Sequence, residues 1–400
     1  MRLSTVQIYQ QGINAIIDQQ NKLTRTQLQI ATGQRINTPS DDPSGAVRLL
    51  DMSEELSKVS QYQRNSELAQ SQLQTEEDAL TGVGNELQRF RELVVQANND
   101  VLSADQRGSI ATELRQIQKQ VLALANSRDV NGDYLFAGYQ VTNTPFSLAG
   151  GSTNYSGDQG QRYAQIGPST QVPMGDSGAD VFMRISEGNG FFKADVNPAN
   201  SGTVVIGSTS RDGLFVDDQY TVAFNQATPS DPITYQVVGA ASGVVASGNF
   251  IEGDGISFNG ARINLTGVPA NGDTIDVAPS GNRDIFTVME NIITALENPT
   301  STASETAHFH NTVNRGLEGL DSTIDRVLEV RANIGVRLNN IESQRNINED
   351  YQLQLQNMES SLKDLDMATA ISDLNLQQVA LQAAQQSYVQ VQRLSLFQML

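Results

Sequence analysis

Apolar residues recur at alternating steps of three and four along both flanks of this chain, the spacing that draws a seam down one face of a helix and lets it pack along another. Near the start, Val6, Tyr9, Ile13, Ile16, Leu23 and Ile30 fall on one such stripe, with Gln20 and Gln27 in its gaps. The spacing predicts a long amphipathic helix. A second stripe begins after Pro43, a residue favoured in a helix's first turn. It runs through Leu49, Met52, Leu56 and Val59, then Leu73, Leu80, Leu87 and Val94, with Gln63, Ser66 and Gln70 interrupting it. Ser103-Ala-Asp-Gln106 has the spacing of a capping box, and Ile110, Leu114, Ile117, Val121 and Leu124 continue the pattern as a third helix. On the C-terminal flank the pattern resumes through Val313, Leu317, Leu320, Ile324, Val327, Ile334, Leu338 and Ile341, with Leu355 and Leu362 further along. A last helix follows through Leu374, Leu381, Ala384, Tyr388 and Val391.

The middle reads differently. Between Phe146 and Arg283 lie 21 of the 32 Gly and 7 of the 11 Pro, a density that breaks helices but suits turns between strands. Runs such as Gly202-Thr-Val-Val-Ile-Gly207, Gln219-Tyr-Thr-Val-Ala-Phe224, Ile233-Thr-Tyr-Gln-Val-Val238 and Ile275-Asp-Val277 are β-branched or aromatic and bounded by turn formers. They predict hairpins packed as a small sandwich or barrel. The fold class is therefore α+β: long helices from both termini packed as a coiled-coil-like bundle, with an inserted β-rich domain of one subdomain or two. The two flanks should fold back beside each other, because neither half-stripe has another partner in the chain.

Composition narrows the function classes. Asp and Glu total 45 against 26 Lys and Arg, a net charge of -19 over 400 residues, so neither nucleic acid nor an anionic membrane surface is expected as a partner. The absence of Cys removes disulfides, thiolate metal sites and cysteine nucleophiles. No cleaved signal is expected, since the first 30 residues lack a basic segment followed by an apolar core, and no run of 18 apolar residues occurs. From Leu374 to Leu400 the only charge is Arg393. A helix exposed to water usually carries charge on its polar face, so this tail is either an ordinary buried terminal helix or an interface between molecules, and apolar residues at a terminus favour the second. The candidate assembly residues are Val6, Tyr9, Ile13, Ile16, Leu23, Ile30, Leu374, Leu381, Tyr388, Val391, Leu394 and Phe397.

Signs of chemistry are weak. Gly175-Asp-Ser-Gly178 looks like the surround of a protease serine, but both histidines, His308 and His310, come later in the chain than the order of such a triad requires. Those histidines are two apart, point to different faces of a helix and read as surface residues rather than metal ligands. Asp129-Val-Asn-Gly-Asp133 begins like a calcium loop but has Tyr134 and Gln140 where Gly and Glu belong, and reads as the turn ending the third helix. No catalytic residue, cofactor or metal site is expected, and the protein is expected not to be an enzyme.

Three stretches resemble the flagellin superfamily. They are Ala31-Thr-Gly-Gln-Arg-Ile-Asn-Thr-Pro-Ser-Asp-Asp-Pro-Ser-Gly-Ala46, then Asn131-Gly-Asp-Tyr-Leu-Phe-Ala-Gly138 with Pro145-Phe146, and Leu362-Lys-Asp-Leu-Asp-Met-Ala-Thr-Ala370 with the Leu-Ser-Leu ending. The Pro-Ser-Asp-Asp-Pro and Tyr-Leu-Phe-Ala-Gly strings favour the junction members of that superfamily over filament flagellin. By itself the first stretch is a rigid, charged connector: Gly33 can end a helix, Pro39 and Pro43 stop one from running through, and Asp41 and Asp42 sit where a helix N-terminus favours negative charge. The resemblance makes it a domain elbow of Gly33, Arg35, Asn37, Pro39, Asp41, Asp42 and Pro43. It further implies a terminal, filament-core type domain of residues 1–40 and 365–400, a helical rod of 41–145 and 284–364, and an insertion over 146–283. The implied function is a structural adaptor of the bacterial flagellum, exported unfolded by the flagellar type III apparatus with an export chaperone and placed outside the cell. Its implied partners are copies of itself in a ring-like layer, the hook-side junction protein and flagellin. The competing readings are filament flagellin itself and a flagellin-like scaffold carrying an enzymatic insertion.

Overall fold

The computed structural model describes residues 5–149, 152–298 and 300–397, with the side chains of Thr5, Val6, Ile8, Ala149, Ser152 and 391–397 outside that description. The helices are α1 (Thr5–Thr32), α2 (Pro43–Ala97), α3 (Ala104–Ala125), α4 (Ile285–Glu297), α5 (Ala303–Lys363) and α6 (Met367–Phe397). Between α3 and α4 lie the strands β1 (Phe146–Ala149), β2 (Ser152–Tyr155), β3 (Tyr163–Gln165), β4 (Gln171–Pro173), β5 (Ile185–Ser186), β6 (Phe192–Val196) and β7 (Val205–Arg211). They continue with β8 (Tyr220–Asn225), β9 (Thr234–Gly239), β10 (Gly243–Asn249), β11 (Gly255–Phe258), β12 (Ala261–Thr266), β13 (Thr274–Pro279) and β14 (Asn282–Arg283). Helical flanks around a β-rich middle are the expected α+β class. The chain forms two compact units, residues 1–65 with 343–400 and residues 66–342.

In the unit of residues 66–342 the stripe of α2 becomes a core. Leu73, Leu80, Leu87 and Val94 are fully buried in one cluster with Leu114 and Val121 of α3 and Val313, Leu320, Ile334 and Ile341 of α5. Helix α3 starts as its sequence dictates, with Ser103 accepting from the Gln106 N–H at 3.3 Å and the Gln106 side chain accepting from the Ser103 N–H at 2.9 Å. Helix α4 was not read from the sequence, although its pattern is amphipathic. Its Ile285, Phe286, Val288, Met289, Ile292, Ile293 and Leu296 are buried along one face, opposite a polar face of Glu290, Asn291, Thr294 and Glu297. Two glycines of α5 let it come close to α4: a Cβ at Gly316 would lie 2.3 Å from Ile292, and one at Gly319 would lie 3.1 Å from Val288.

The β-rich stretch serves two cores. Hairpins β1–β2 and β3–β4 and the π turn Ala179–Met183 send Phe146, Ile166, Val172 and Phe182 into the helical core, where Phe146 packs edge-on to Phe182 at 5.4 Å. Residues 192–279 build their own sandwich. A five-stranded antiparallel sheet in the order β10-β9-β8-β13-β6 faces the three-stranded sheet β11-β12-β7. Phe192, Tyr220, Phe224, Val237, Ile263, Leu265 and Ile275 fill the space between them. The four strands read from sequence overlap β7, β8, β9 and β13. Chain entry and exit meet at a neck where β5 pairs with β14 and the Glu187 N–H donates to Gly281 O at 3.0 Å.

The remaining sequence signals have structural roles. The aspartate of Gly175-Asp-Ser-Gly178 takes two bonds of 2.9 Å from the Arg337 guanidinium, while its N–H donates to Glu76 Oε1 at 3.0 Å. Burial foremost, and then the negative charge of Asp176, pushes the Glu76 carboxyl up from the ordinary carboxylate range. Asp129 accepts from the N–H groups of Asn131 and Asp133 at 2.8 and 3.0 Å, closing a turn in which Gly132 has φ +88°. The histidines correct the expectation of surface residues. Both are half-buried: His308 Nε2 lies 3.0 Å from Asn200 O, and His310 bridges Asn98 Oδ1 and Asp100 Oδ1 at 2.8 Å each. The reason is that α5 meets the sandwich on the face of His308 and the end of α2 on the face of His310, which a single helical stripe does not reveal.

Phe182→Ala empties the aromatic cluster of the helical core and should cost about 3 to 5 kcal/mol there. Hydrogen exchange should show α4 losing protection while β8 and β13 keep theirs, because the sandwich has its own core.

Candidate assembly interface and elbow

The elbow belongs to the unit of residues 1–65 and 343–400. Gly33 ends α1 with φ +70°, a left-handed conformation that costs glycine nothing. The chain then pairs with the turn between α5 and α6: Arg35 N–H donates to Lys363 O at 2.7 Å and Leu365 N–H to Gly33 O at 3.0 Å, around an antiparallel bridge of Gln34 with Asp364. The Arg35 guanidinium adds bonds of 3.1 and 2.8 Å to Leu362 O, satisfying a carbonyl that the end of α5 leaves without a helical partner. Asn37 closes the turn by donating from Nδ2 to Gln34 O at 3.2 Å.

The two aspartates divide the remaining work. Asp41 Oδ2 accepts from the N–H groups of Asn37 and Thr38 at 3.1 and 2.9 Å, and its Oδ1 lies 2.6 Å from Arg25 Nη2. Asp42 Oδ1 accepts from Gly45 N–H and Ser44 Oγ at 2.9 Å each, capping α2 whose first residue is Pro43. Both carboxyls are held below the usual range, Asp41 chiefly by the Thr38 N–H and Asp42 chiefly by the Gly45 N–H. Gly45 is required here, since a Cβ would stand 2.6 Å from both the Asp42 carboxylate and Ile36. Asp366 does for α6 what Asp42 does for α2, accepting from the N–H groups of Ala368 and Thr369 at 3.0 and 3.2 Å. Pro39 lies in the turn before Asp41, with no hydrogen bond of its own to lose.

Helix α1 packs along α6. Tyr9, Gly12, Ile16, Gln19, Leu23, Thr26 and Ile30 of α1 are half-buried or buried, as are Ala370, Leu374, Gln377, Leu381, Ala384 and Tyr388 of α6; Gln29, also half-buried, instead donates to Arg35 O at 2.7 Å in the elbow. Each set keeps steps of three and four, so one seam joins the two ends of the chain. Tyr9 and Tyr388 meet edge-on at 6.3 Å, Gly12 leaves room for the Tyr388 ring, and Gln19 donates to Gln377 O at 3.2 Å. Of the candidates, Tyr9, Ile16, Leu23, Ile30, Leu374, Leu381 and Tyr388 thus lie on a face already used within the chain. Ile13 is off the seam, and Gln20 and Gln27, expected in its gaps, point outward while Gln19 and Thr26 fill those places. The side chains of Val6, Val391, Leu394 and Phe397 lie outside the described residues. Sequence reasoning missed a second apolar set, Ile17, Leu28, Ile371, Leu376, Val379 and Val389, all exposed. The signal for it was present, since α1 and α6 hold more apolar residues than one stripe can use.

Comparison with known proteins bears on both features. The model of the bacterial flagellin N-terminal helical region matches residues 3–141 and that of the C-terminal helical region matches residues 317–400, so the elbow and both partners of the seam fall inside them. The chain is 27% identical over 402 residues to flagellar hook-associated protein 3 of Escherichia coli (strain K12), covering 100% of this chain and 99% of that one. The crystal structure of flagellar hook associated protein-3 from Legionella pneumophila superposes with a TM-score of 0.75 at 31% identity, over 78% of this chain and 98% of that chain. The FlgL of Xanthomonas campestris gives 0.72 at 32%, over 77% and 99%.

The depressed carboxyls make the elbow acid-sensitive. A folded-state pKa below the unfolded value near 3.8 contributes stability that is fully present above pH 3.8 and is lost as pH falls through the lowered value. The amide proton signals of Thr38 and Gly45 should therefore titrate with midpoints below 3.8, and the Thr38 step should vanish in Asp41→Asn while the Gly45 step stays. Midpoints at or above 3.8 would mean that these bonds do not hold the turn.

Proposed function

The chain belongs to the flagellin family, in its hook-associated protein 3 group, and from that premise we propose how its two ends do the work of a junction. It is a structural adaptor of the bacterial flagellum, joining the hook-side junction protein to the flagellin filament through packing of its terminal helices. The match to hook-associated protein 3 along nearly the whole of both chains supports the junction reading over filament flagellin. Its relatives are structural components of the flagellum, and the role proposed here is mechanical.

The observation that carries the mechanism is the second apolar face. Once α1 and α6 have met, Leu376 and Val379 are still 66% and 64% exposed on a helix of low charge. Water is a poor neighbour for such a surface, and burial of apolar area is what drives stable association. Copies of the chain are proposed to stand in a ring-like layer, each covering the exposed apolar face of the next. Residues 1–40 with 365–400 would form its core, 41–145 with 284–364 the rod, and 146–283 the insertion. The insertion would face outward, since it carries 13 acidic against 6 basic residues. The absence of Cys suits a chain threaded unfolded through the flagellar type III apparatus, delivered by an export chaperone and folded outside the cell.

Leu376→Asp and Val379→Asp separate assembly from folding. Both side chains are exposed in the single chain, so thermal unfolding of the monomer should change little, by about 0.5 kcal/mol or less. In an assembled layer each would bury an unpaired carboxylate at a cost of several kcal/mol, so secreted variants should fail to retain filaments and flagellin should appear in the medium. Excision of Gly188 to Ser280 at the neck should leave filaments attached. Normal swimming by both aspartate variants, with filament loss only on excision, would place the interface in the insertion instead.

A further inference from the structure

Helix α2 carries two successive carboxyls, Glu76 and Glu77, toward the loop of residues 174–178 and α5, and the adaptor role uses neither. Three carboxyls and two guanidiniums meet there. Asp176 takes both Arg337 bonds at 2.9 Å, and Glu77 Oε1 takes the Arg331 Nε at 2.8 Å. Both cations are thereby committed, and Glu77 Oε2 is buried without a hydrogen-bond partner. Glu76 forms no ion pair among the described residues, although at 1% exposure it is the most deeply buried of the five.

The groups that touch Glu76 are neutral. Its Oε1 accepts from the Asp176 N–H at 3.0 Å, and its Oε2 faces the bare Cα of Gly175, where a Cβ would stand 3.4 Å from that oxygen and 4.0 Å from Gln72 Nε2. Gln161 closes the far side of the loop, donating to Gly175 O and Asp176 Oδ1 at 3.1 Å each. With all three carboxyls ionised, the cluster would hold one negative charge more than its two guanidiniums balance, on the member that water reaches least. A proton on Glu76 removes the surplus, which is how a buried carboxyl without a cation avoids the cost of its charge. Burial foremost, then the charge of Asp176 and lastly that of Glu77 favour the neutral acid, against the Asp176 N–H and Arg337.

We propose that Glu76 is a pH-sensitive lock: as a neutral acid it fastens the loop of residues 174–178 to α2, and on ionising it sets a carboxylate against Asp176 and lets the loop go. The change is local, because the loop keeps its hold on α5 through Arg337 and on Phe136 O through the Gly178 N–H at 2.9 Å. Strand β4 precedes this loop and the π turn bearing Phe182 follows it, so the lock governs how firmly that layer sits on the helices in acid and in alkali. The inference rests on the unit of residues 66–342 alone and stands whether or not the terminal helices carry assembly.

Denaturant unfolding of the full chain, wild type against Glu76→Gln, tests it, because the amide keeps an acceptor for the Asp176 N–H and cannot ionise. A folded-state pKa above the unfolded value of 4.5 contributes stability that is fully present below 4.5 and is lost as pH rises through the raised value. Between 4.5 and that value the unfolding constant of the wild type should grow about tenfold per pH unit relative to the variant, since every other titrating group is common to both. Over the same range the Asp176 amide should lose hydrogen-exchange protection in the wild type, beyond the rise that base catalysis gives every amide, and keep it in the variant. Should the variant fail to fold, the wild-type amide alone decides. Unfolding constants in a fixed ratio across pH, or an Asp176 amide whose protection is unchanged up to about pH 9, would overturn the proposal.

Discussion

Two backbone hydrogen bonds, from Arg35 to Lys363 and from Leu365 to Gly33, join points of the chain more than 300 residues apart, and the arrangement of the terminal unit follows from them. They set the end of α1 beside the start of α6, and that alignment fixes which residues face each other along the whole seam. Tyr9 reaches Tyr388 and Gln19 reaches Gln377 only in this register. The same few residues serve the ends of four helices. Gly33 stops α1, Asp42 caps α2, Arg35 occupies a carbonyl at the end of α5, and Asp366 caps α6. A connector that satisfies this many helix termini is rigid because any rotation within it leaves polar groups without partners.

Much of this was written in the sequence, and the limits of legibility have physical causes. Stripes such as Leu73 to Val94 and the Ser103 capping box are local patterns, and local patterns survive folding unchanged. The elbow's residues were readable as helix stops and caps. Their partners were not, because a bridge between Gln34 and Asp364 depends on the path of the chain and leaves no periodic mark. Along α1 the stripe was placed partly wrong for a related reason. A seam closed by Gly12, Gln19 and Thr26 uses a small residue and two polar ones, so counting apolar positions put Ile13 where Gly12 belongs. Helix α4 escaped although its stripe is regular, because it spans only 13 residues directly after the turn-rich middle.

The β-rich middle shows why composition alone leaves one subdomain or two undecided. Turn-rich sequence looks the same whether its apolar residues point at each other or at neighbouring helices. Here Phe146, Val172 and Phe182 were recruited by the helical core, while Tyr220, Phe224 and Ile275 stayed with the sandwich. Where the first group docks, buried Glu76 and the partly buried Asp176 and Arg337 tie α2, the loop of residues 174–178 and α5 together. Such a polar joint adds little net stability, but it admits few alternative alignments of the pieces it connects.

The neck at β5 and β14 has a consequence of a different kind. Because the sandwich departs and returns through one paired turn of chain, its length leaves the separation of the two strands that enter the helical core unchanged. It nevertheless rests on α5, where Asn311 accepts from the Ile206 N–H at 2.8 Å and donates to Val204 O at 2.9 Å. Length changes in the turns between strands are thus absorbed at the neck, while substitutions at Val204 and Ile206 reach the helix directly.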